Sequence, residues 1–132
     1  MKRISFFLFA VLISTNTMLG AKGKKVVPEF TKAETLEIIE FMSFKTDCIT
    51  CHQPDLALVG PSFIEIAEKY EKRPMAEALI ARSIRLGSEG EWGDVPMAPH
   101  PELTTKEIAW LTDWIMSLVA HGYVEVETTL IY

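Results

Sequence analysis

The only two cysteines of the chain fall in one pentapeptide, Cys48-Ile49-Thr50-Cys51-His52, and no other stretch limits the possible folds as much. Two thiols three residues apart with a histidine directly behind them form the attachment pattern of a c-type haem. On one helical turn, positions i, i+3 and i+4 share a face. Two sulfurs can then add to the two vinyl groups while His52 rises to the iron. A covalent anchor of this kind also prevents loss of a redox cofactor outside the cell. Three rival readings use the same residues. A redox-active Cys-X-X-Cys site needs a βαβ context, and a structural zinc site needs further Cys or His ligands at motif spacing. A plain disulfide between Cys48 and Cys51 is open to any exported chain.

The pattern around the motif is helical, with no strand alternation of the βαβ kind. Thr31 and Glu34 have the spacing of a capping box, and a helix is expected from there to about Phe44. Leu36, Ile39 and Met42, flanked by Ile38 and Phe41, give it one face to bury, while Glu34, Glu37 and Glu40 mark the wet side. Ser62 and Glu65 repeat the box, and Phe63, Ile66, Ala67 and Tyr70 trace a short helix that Pro74 interrupts. A third helix is expected from Pro74 to a cap at Gly87. The last is the clearest: Thr104 and Glu107 cap it, and Ile108, Leu111, Ile115, Leu118 and Val119 recur at helical spacing until Gly122. About four helices result, an all-α chain. The alternation Val124-Glu125-Val126-Glu127 suits a strand but has no obvious partner.

Residues 88–103 hold several glycines and prolines and cannot stay helical for long. Structureless loops beyond about 12–15 residues usually have a task. Met97 stands in this loop between Pro96 and Ala98-Pro99, where a rigid backbone can present a thioether to the haem face opposite His52. The separation from His52 leaves room for two helices to pass around the haem edge. Met42, Met75 and Met116 lie in expected helices, where filling the core is the default. His100, in the same loop, competes with Met97 for the sixth position, whereas His121 suits the end of the last helix.

At 132 residues the chain suits one domain. Lys2 and Arg3, the apolar run from Ile4 to Ile13, and the small residues Gly20 and Ala21 have the layout of a secretory signal peptide. Ala21 and Gly23 are both candidate cleavage ends. The run is shorter than the roughly 20 residues that span a membrane, and it lacks the cysteine a lipoprotein anchor acylates; an uncleaved signal anchor is the alternative. The expected division is a signal peptide over 1–23, a haem domain over 24–121 and a C-terminal extension over 122–132. Without Lys2, Arg3 and Lys22, the 13 basic residues fall to ten against 18 acidic ones, a charge of about −8. That disfavours nucleic acid and anionic membrane as partners. The acidity serves solubility, or an acidic face that steers a basic partner.

With these features together, residues 35 to about 120 resemble the class I c-type cytochromes, in particular the small bacterial mono-haem type. Leu58-Val59-Gly60-Pro61 before Ser62 looks like the family's proline loop, and the resemblance implies that the Pro61 carbonyl accepts a hydrogen bond from the proximal histidine. Gly90-Glu91-Trp92-Gly93-Asp94-Val95-Pro96-Met97 looks like the distal loop. It implies Met97 as iron ligand beside His52 and Trp92 near a haem propionate. Trp114 matches a tryptophan packed near the haem, although core packing explains it equally well. His100 departs from the pattern, standing where similar sequences often carry an asparagine near the methionine sulfur. The first helix, offset from the motif, and residues 122–132, which are extra, also depart.

The resemblance implies the small cytochrome c fold around one haem c held by Cys48 and Cys51. It further implies a periplasmic or otherwise exported carrier of single electrons and not an enzyme. Phe63, Ile66, Leu111 and Ile115 would wall the iron from water. Partners would be redox proteins met transiently, with membrane contact only through an uncleaved signal or a membrane complex. Two alternatives stand beside it: a haem subunit of a membrane oxidase or dehydrogenase, and a haem enzyme or gas sensor with a displaceable distal ligand.

Overall fold

In the computed structural model, residues 26–125 are described. The expected signal peptide lies outside them, as do residues 126–132 of the C-terminal extension. Five helices follow in order: α1 Lys32–Phe44, α2 Cys48–Cys51, α3 Phe63–Tyr70, α4 Ala76–Leu86 and α5 Thr105–Ala120. Among the described residues there is no strand, and two isolated antiparallel bridges, His52 with Ala57 and Ser88 with Met97, are the only β pairing.

The three expected capping boxes all form. Thr31, Ser62 and Thr104 each accept from the backbone N–H three residues on, and Glu34, Glu65 and Glu107 reach back to the cap backbone. Gly122, at φ 86°, ends α5 in the left-handed conformation that glycine takes at least cost. One helix start differs from expectation: α4 begins at Ala76, not Pro74. Arg73 N–H closes a turn onto the Tyr70 carbonyl at 2.8 Å, and Met75 takes a left-handed φ of 61° as the N-cap. The chain thus reverses between α3 and α4 before helix can resume. Met75 is accordingly an exposed turn residue, whereas Met42 and Met116 are core residues.

α5 is the spine. It packs against α3 and α4, while α1 adjoins α2. Leu111, Trp114, Ile115 and Leu118 face Phe63 and Ala67 of α3 and Ile80 and Ile84 of α4 in one core. Ile38, Ile39 and Met42 bring α1 into the same core. Phe41 stands edge-on to Trp110 at 5.6 Å, and Lys45, at the end of α1, pairs with Glu107 in the first turn of α5. Buried aliphatic side chains each contribute about 1.5–3 kcal/mol, so this helical wall supplies most of the driving force. The motif and the proline-rich loop are carried in front of it. Among the described residues, no helix is long and apolar enough to cross a membrane.

Candidate haem-binding site

The motif forms one turn, α2, and then breaks. His52 closes that turn, its backbone N–H donating to the Cys48 carbonyl at 2.8 Å, but its own backbone is extended at φ −123°, ψ 130°. His52 is therefore the C-cap of the single helical turn expected over the motif. Gln53 precedes Pro54, and a residue before proline is disfavoured in the helical region, so helix does not resume after His52 and the chain folds back. Gly60 N–H donates to the Cys51 carbonyl at 2.9 Å and fastens the returning loop.

That return places Pro61 over the imidazole. His52 Nδ1 lies 2.6 Å from the Pro61 carbonyl oxygen, which can only accept, so Nδ1 carries the proton and Nε2 keeps its lone pair. The ring is 8% exposed and stacks obliquely on Phe63, centroids 5.5 Å apart. Gly60 is required by space: a Cβ there would stand 2.9 Å from His52 Nδ1 and closer still to the ring carbon between the two nitrogens. Thr46 Oγ1 sits 3.0 Å from Cys48 Sγ, and burial pushes the Cys48 thiol up.

The facing wall is the loop after α4. Ser88 and Met97 exchange two backbone hydrogen bonds, 2.8 and 3.3 Å, so residues 89–96 bulge out and Met97 is fixed at the loop base. Ser88 Oγ is 4.0 Å from Met97 Sδ. Gly87 makes the close approach possible: its φ is 74°, and a Cβ would lie 2.5 Å from the Met97 carbonyl oxygen. His100 is held differently. Its N–H donates to the Ile84 carbonyl at 2.9 Å, Nδ1 is 3.1 Å from Glu102 and Nε2 3.5 Å from Asp47. Both ring nitrogens face carboxylates, and His100 lines the same cavity as Met97.

Cys48, Cys51, His52, Pro61, Trp92 and Met97 line one open cavity. Phe63, Ile66, Leu111 and Ile115 line it as expected, and Tyr70, Ile80 and Ile84 complete the apolar walls. Trp114 does not line it. It is 1% exposed and stands edge-on to Phe63 at 5.2 Å, bracing the wall from behind. Trp92, 40% exposed, sits at the mouth with Lys69 Nζ 3.9 Å above its ring. The neighbouring Glu91 receives Lys69 at 3.2 Å, Arg73 at 2.9 Å and the Tyr70 hydroxyl at 3.4 Å, and the two cations hold its carboxyl below the usual range. Nothing in the spacing of Lys69, Tyr70 and Arg73 announces this clamp, because it joins residues about twenty positions apart across a turn.

Two thiols, an imidazole with a free lone pair and a thioether around one mainly apolar cavity form the donor set of a covalently attached haem. The comparisons agree. The sequence profile of the family described as Cytochrome c matches residues 41–119. Cytochrome c-552 of Nitrosomonas europaea is 39% identical over 74 residues, 56% of this chain and 72% of that protein. Cytochrome c-551 of Pseudomonas denitrificans is 41% identical over 71 residues, 54% of this chain and 85% of that one. The crystal structure of the wild-type Nitrosomonas europaea cytochrome c552 superposes with a TM-score of 0.57 at 35% identity, covering 63% of this chain and 98% of that structure. With Cys48 and Cys51 in the family's attachment positions, the chain bears a covalent c-type haem, and it belongs to the cytochrome c family as one of its small bacterial class I members.

Proposed function

We propose that this single-electron carrier works with two fixed axial ligands, His52 and Met97, in a protein exported to the periplasm. The observation that carries the reading is the hydrogen bond from His52 Nδ1 to Pro61, which leaves Nε2 the unprotonated nitrogen of a ring that shares a cavity with the Met97 side chain. Bound there, the haem supplies a one-electron ferric/ferrous couple.

The residues of the chain then have distinct tasks. Pro61 orients the imidazole and raises its basicity. The Ser88–Met97 pair fixes the thioether. Phe63, braced by Trp114, joins Ile66, Leu111 and Ile115 in keeping water from the iron. Trp92 stands at the mouth, where an indole N–H can serve a propionate. Two protein ligands held in place make reorganisation small and leave no position for substrate, so the chain carries electrons and catalyses no bond change. Residues 1–23 act as the signal peptide, 24–121 as the haem domain and 122–132 as an extension. Redox partners dock transiently, over less than about 1,200 Å².

Visible spectra of the oxidised and reduced holoprotein test this. A low-spin haem with a methionine charge-transfer band, lost in Met97→Ala, is the expected result. A high-spin haem, or rapid carbon monoxide binding by the ferrous wild type, would overturn the ligand assignment and favour a gas-binding role.

A further inference from the structure

His100 joins the two sides of the cavity. Its backbone N–H donates to the Ile84 carbonyl in the last turn of α4 at 2.9 Å, so the main chain anchors the residue to that helix. Its side chain, 12% exposed, lies between two carboxylates: Nδ1 is 3.1 Å from Glu102 Oε1 and Nε2 is 3.5 Å from Asp47 Oδ1. Glu102 follows Met97 in the distal loop, whereas Asp47 is the N-cap of α2 and stands directly before Cys48. A third charged group at this corner is Arg85 of α4, which donates to the Pro101 carbonyl at 3.0 Å. The Glu102 carboxyl is held below the usual range by its own backbone N–H, by His100 and by Arg85, so it stays ionised near neutral pH.

A ring placed in this way distinguishes its two protonation states. An imidazolium carries a proton on each nitrogen and donates to both carboxylates. A neutral imidazole carries one proton, and its other nitrogen turns a lone pair toward an anion. The shorter contact, to Glu102, keeps the single proton, and the longer one, to the exposed Asp47, is lost. Its loss removes a side-chain bond between the attachment turn and the loop that carries Met97, three residues before His100.

We propose that His100 is a proton-operated strap across the haem cavity. Protonated, it ties the attachment turn to the distal loop through Asp47; neutral, it lets the two sides part and the distal ligand exchange more readily. The proposal rests on the carrier reading with Met97 on the iron, and adds control of that ligand by pH. His100 acts through the loop, as a positioning residue.

The test is the slow binding of carbon monoxide by the ferrous holoprotein, followed in the visible spectrum from about pH 5 to about pH 8, the range in which histidine titrates. Carbon monoxide has no ionisable proton, so a pH profile belongs to the protein. At saturating gas the rate reports departure of the distal ligand. It should rise with pH by about 1.5- to 5-fold, the size expected for one exposed ion pair. The midpoint should coincide with the titration of the His100 ring, read from proton NMR of the same ferrous protein. His100→Asn, whose amide hydrogen-bonds but does not titrate, should flatten the profile. Asp47→Asn, a change at an exposed side chain, should also flatten it while the His100 resonance still titrates. A flat profile in the wild type, or an unchanged profile in either variant, would overturn the strap. So would a low-spin spectrum with two nitrogen ligands at high pH that His100→Asn abolishes, since His100 would then be the iron ligand itself. Absence of the methionine charge-transfer band from the ferric wild type throughout the range would instead sink the Met97 reading on which the proposal rests.

Discussion

The Pro61 carbonyl oxygen stands 2.6 Å from His52 Nδ1, and the glycine before it, Gly60, has space for hydrogen and nothing larger against the same ring. The tautomer of His52 is therefore set by main chain, not by another side chain. Gly60→Ala should displace the imidazole from that carbonyl and lower its basicity. The expected outcome is a reduced yield of low-spin holoprotein and a raised reduction potential, by about 60 mV for each tenfold loss in relative preference for ferric iron. Pro61→Ala keeps the carbonyl and should change the potential much less. Redox titration of both variants checks this.

Gly87 plays the corresponding part on the distal side. A side chain there meets both a φ of 74° and the Met97 carbonyl at 2.5 Å. Gly87→Ala should destabilise the holoprotein by more than about 1 kcal/mol and weaken the methionine charge-transfer band. Chemical denaturation and the near-infrared spectrum would report the two effects separately.

Glu91 joins the bulge of the distal loop to the end of α3 through Lys69, Arg73 and Tyr70. Exposed ion pairs contribute only about 0.2–1 kcal/mol, so Glu91→Gln should leave global stability within about 1 kcal/mol. Its effect should show in local opening. Cyanide should replace the distal ligand severalfold faster than in the wild type, and Glu91→Asp should recover part of the difference.

Lys45 bonds to Glu107, and with the Thr104 cap it lowers the Glu107 carboxyl from an ordinary 4.5 to about 2. The unfolded chain binds this proton near pH 4.5, while the folded chain does so only near pH 2. The pair's contribution is therefore fully present above about pH 4.5 and lost as the pH falls through about 2. Urea unfolding of wild type and Glu107→Gln should differ at pH 6 and converge near pH 2.

Trp114 is a core residue behind the cavity wall. Replacing it by alanine should cost about 3–5 kcal/mol and loosen Phe63, with which it packs edge-on at 5.2 Å. A calorimetric scan gives the stability loss, and ring-current-shifted proton resonances of Phe63 report the loosening.

Most of the architecture was legible because it is written locally. The three capping boxes need only residues three apart, and the apolar rows of α3 and α5 repeat within each helix. The attachment motif was legible for the same reason, since Cys48, Cys51 and His52 stand together in one pentapeptide. What the sequence did not reveal lies across space. The clamp on Glu91, the carboxylates around His100 and the bracing of Phe63 by Trp114 depend on how helices meet. The start of α4 was misjudged because Pro74 suits a first helical turn, whereas the reversal after Tyr70 needed two further residues and a left-handed Met75. The extended backbone of His52 was not legible either, because the rule of i, i+3 and i+4 speaks only of the turn that His52 closes.

His121, just past the end of α5, places Nε2 3.0 Å from the Val27 carbonyl, 94 residues earlier in the chain. Val27, ahead of α1, and the end of α5 are thus stitched together. A tether attached at Val27 or at His121 would hold the fold by the same point and leave it the same freedom to turn. A short peptide joining Val27 to His121, with new termini cut into an exposed loop elsewhere, should be tolerated, as it is in domains whose ends lie close together. Immobilised on an electrode through Val27 or through His121, the fold would swing about one pivot and present the same range of faces to its surroundings.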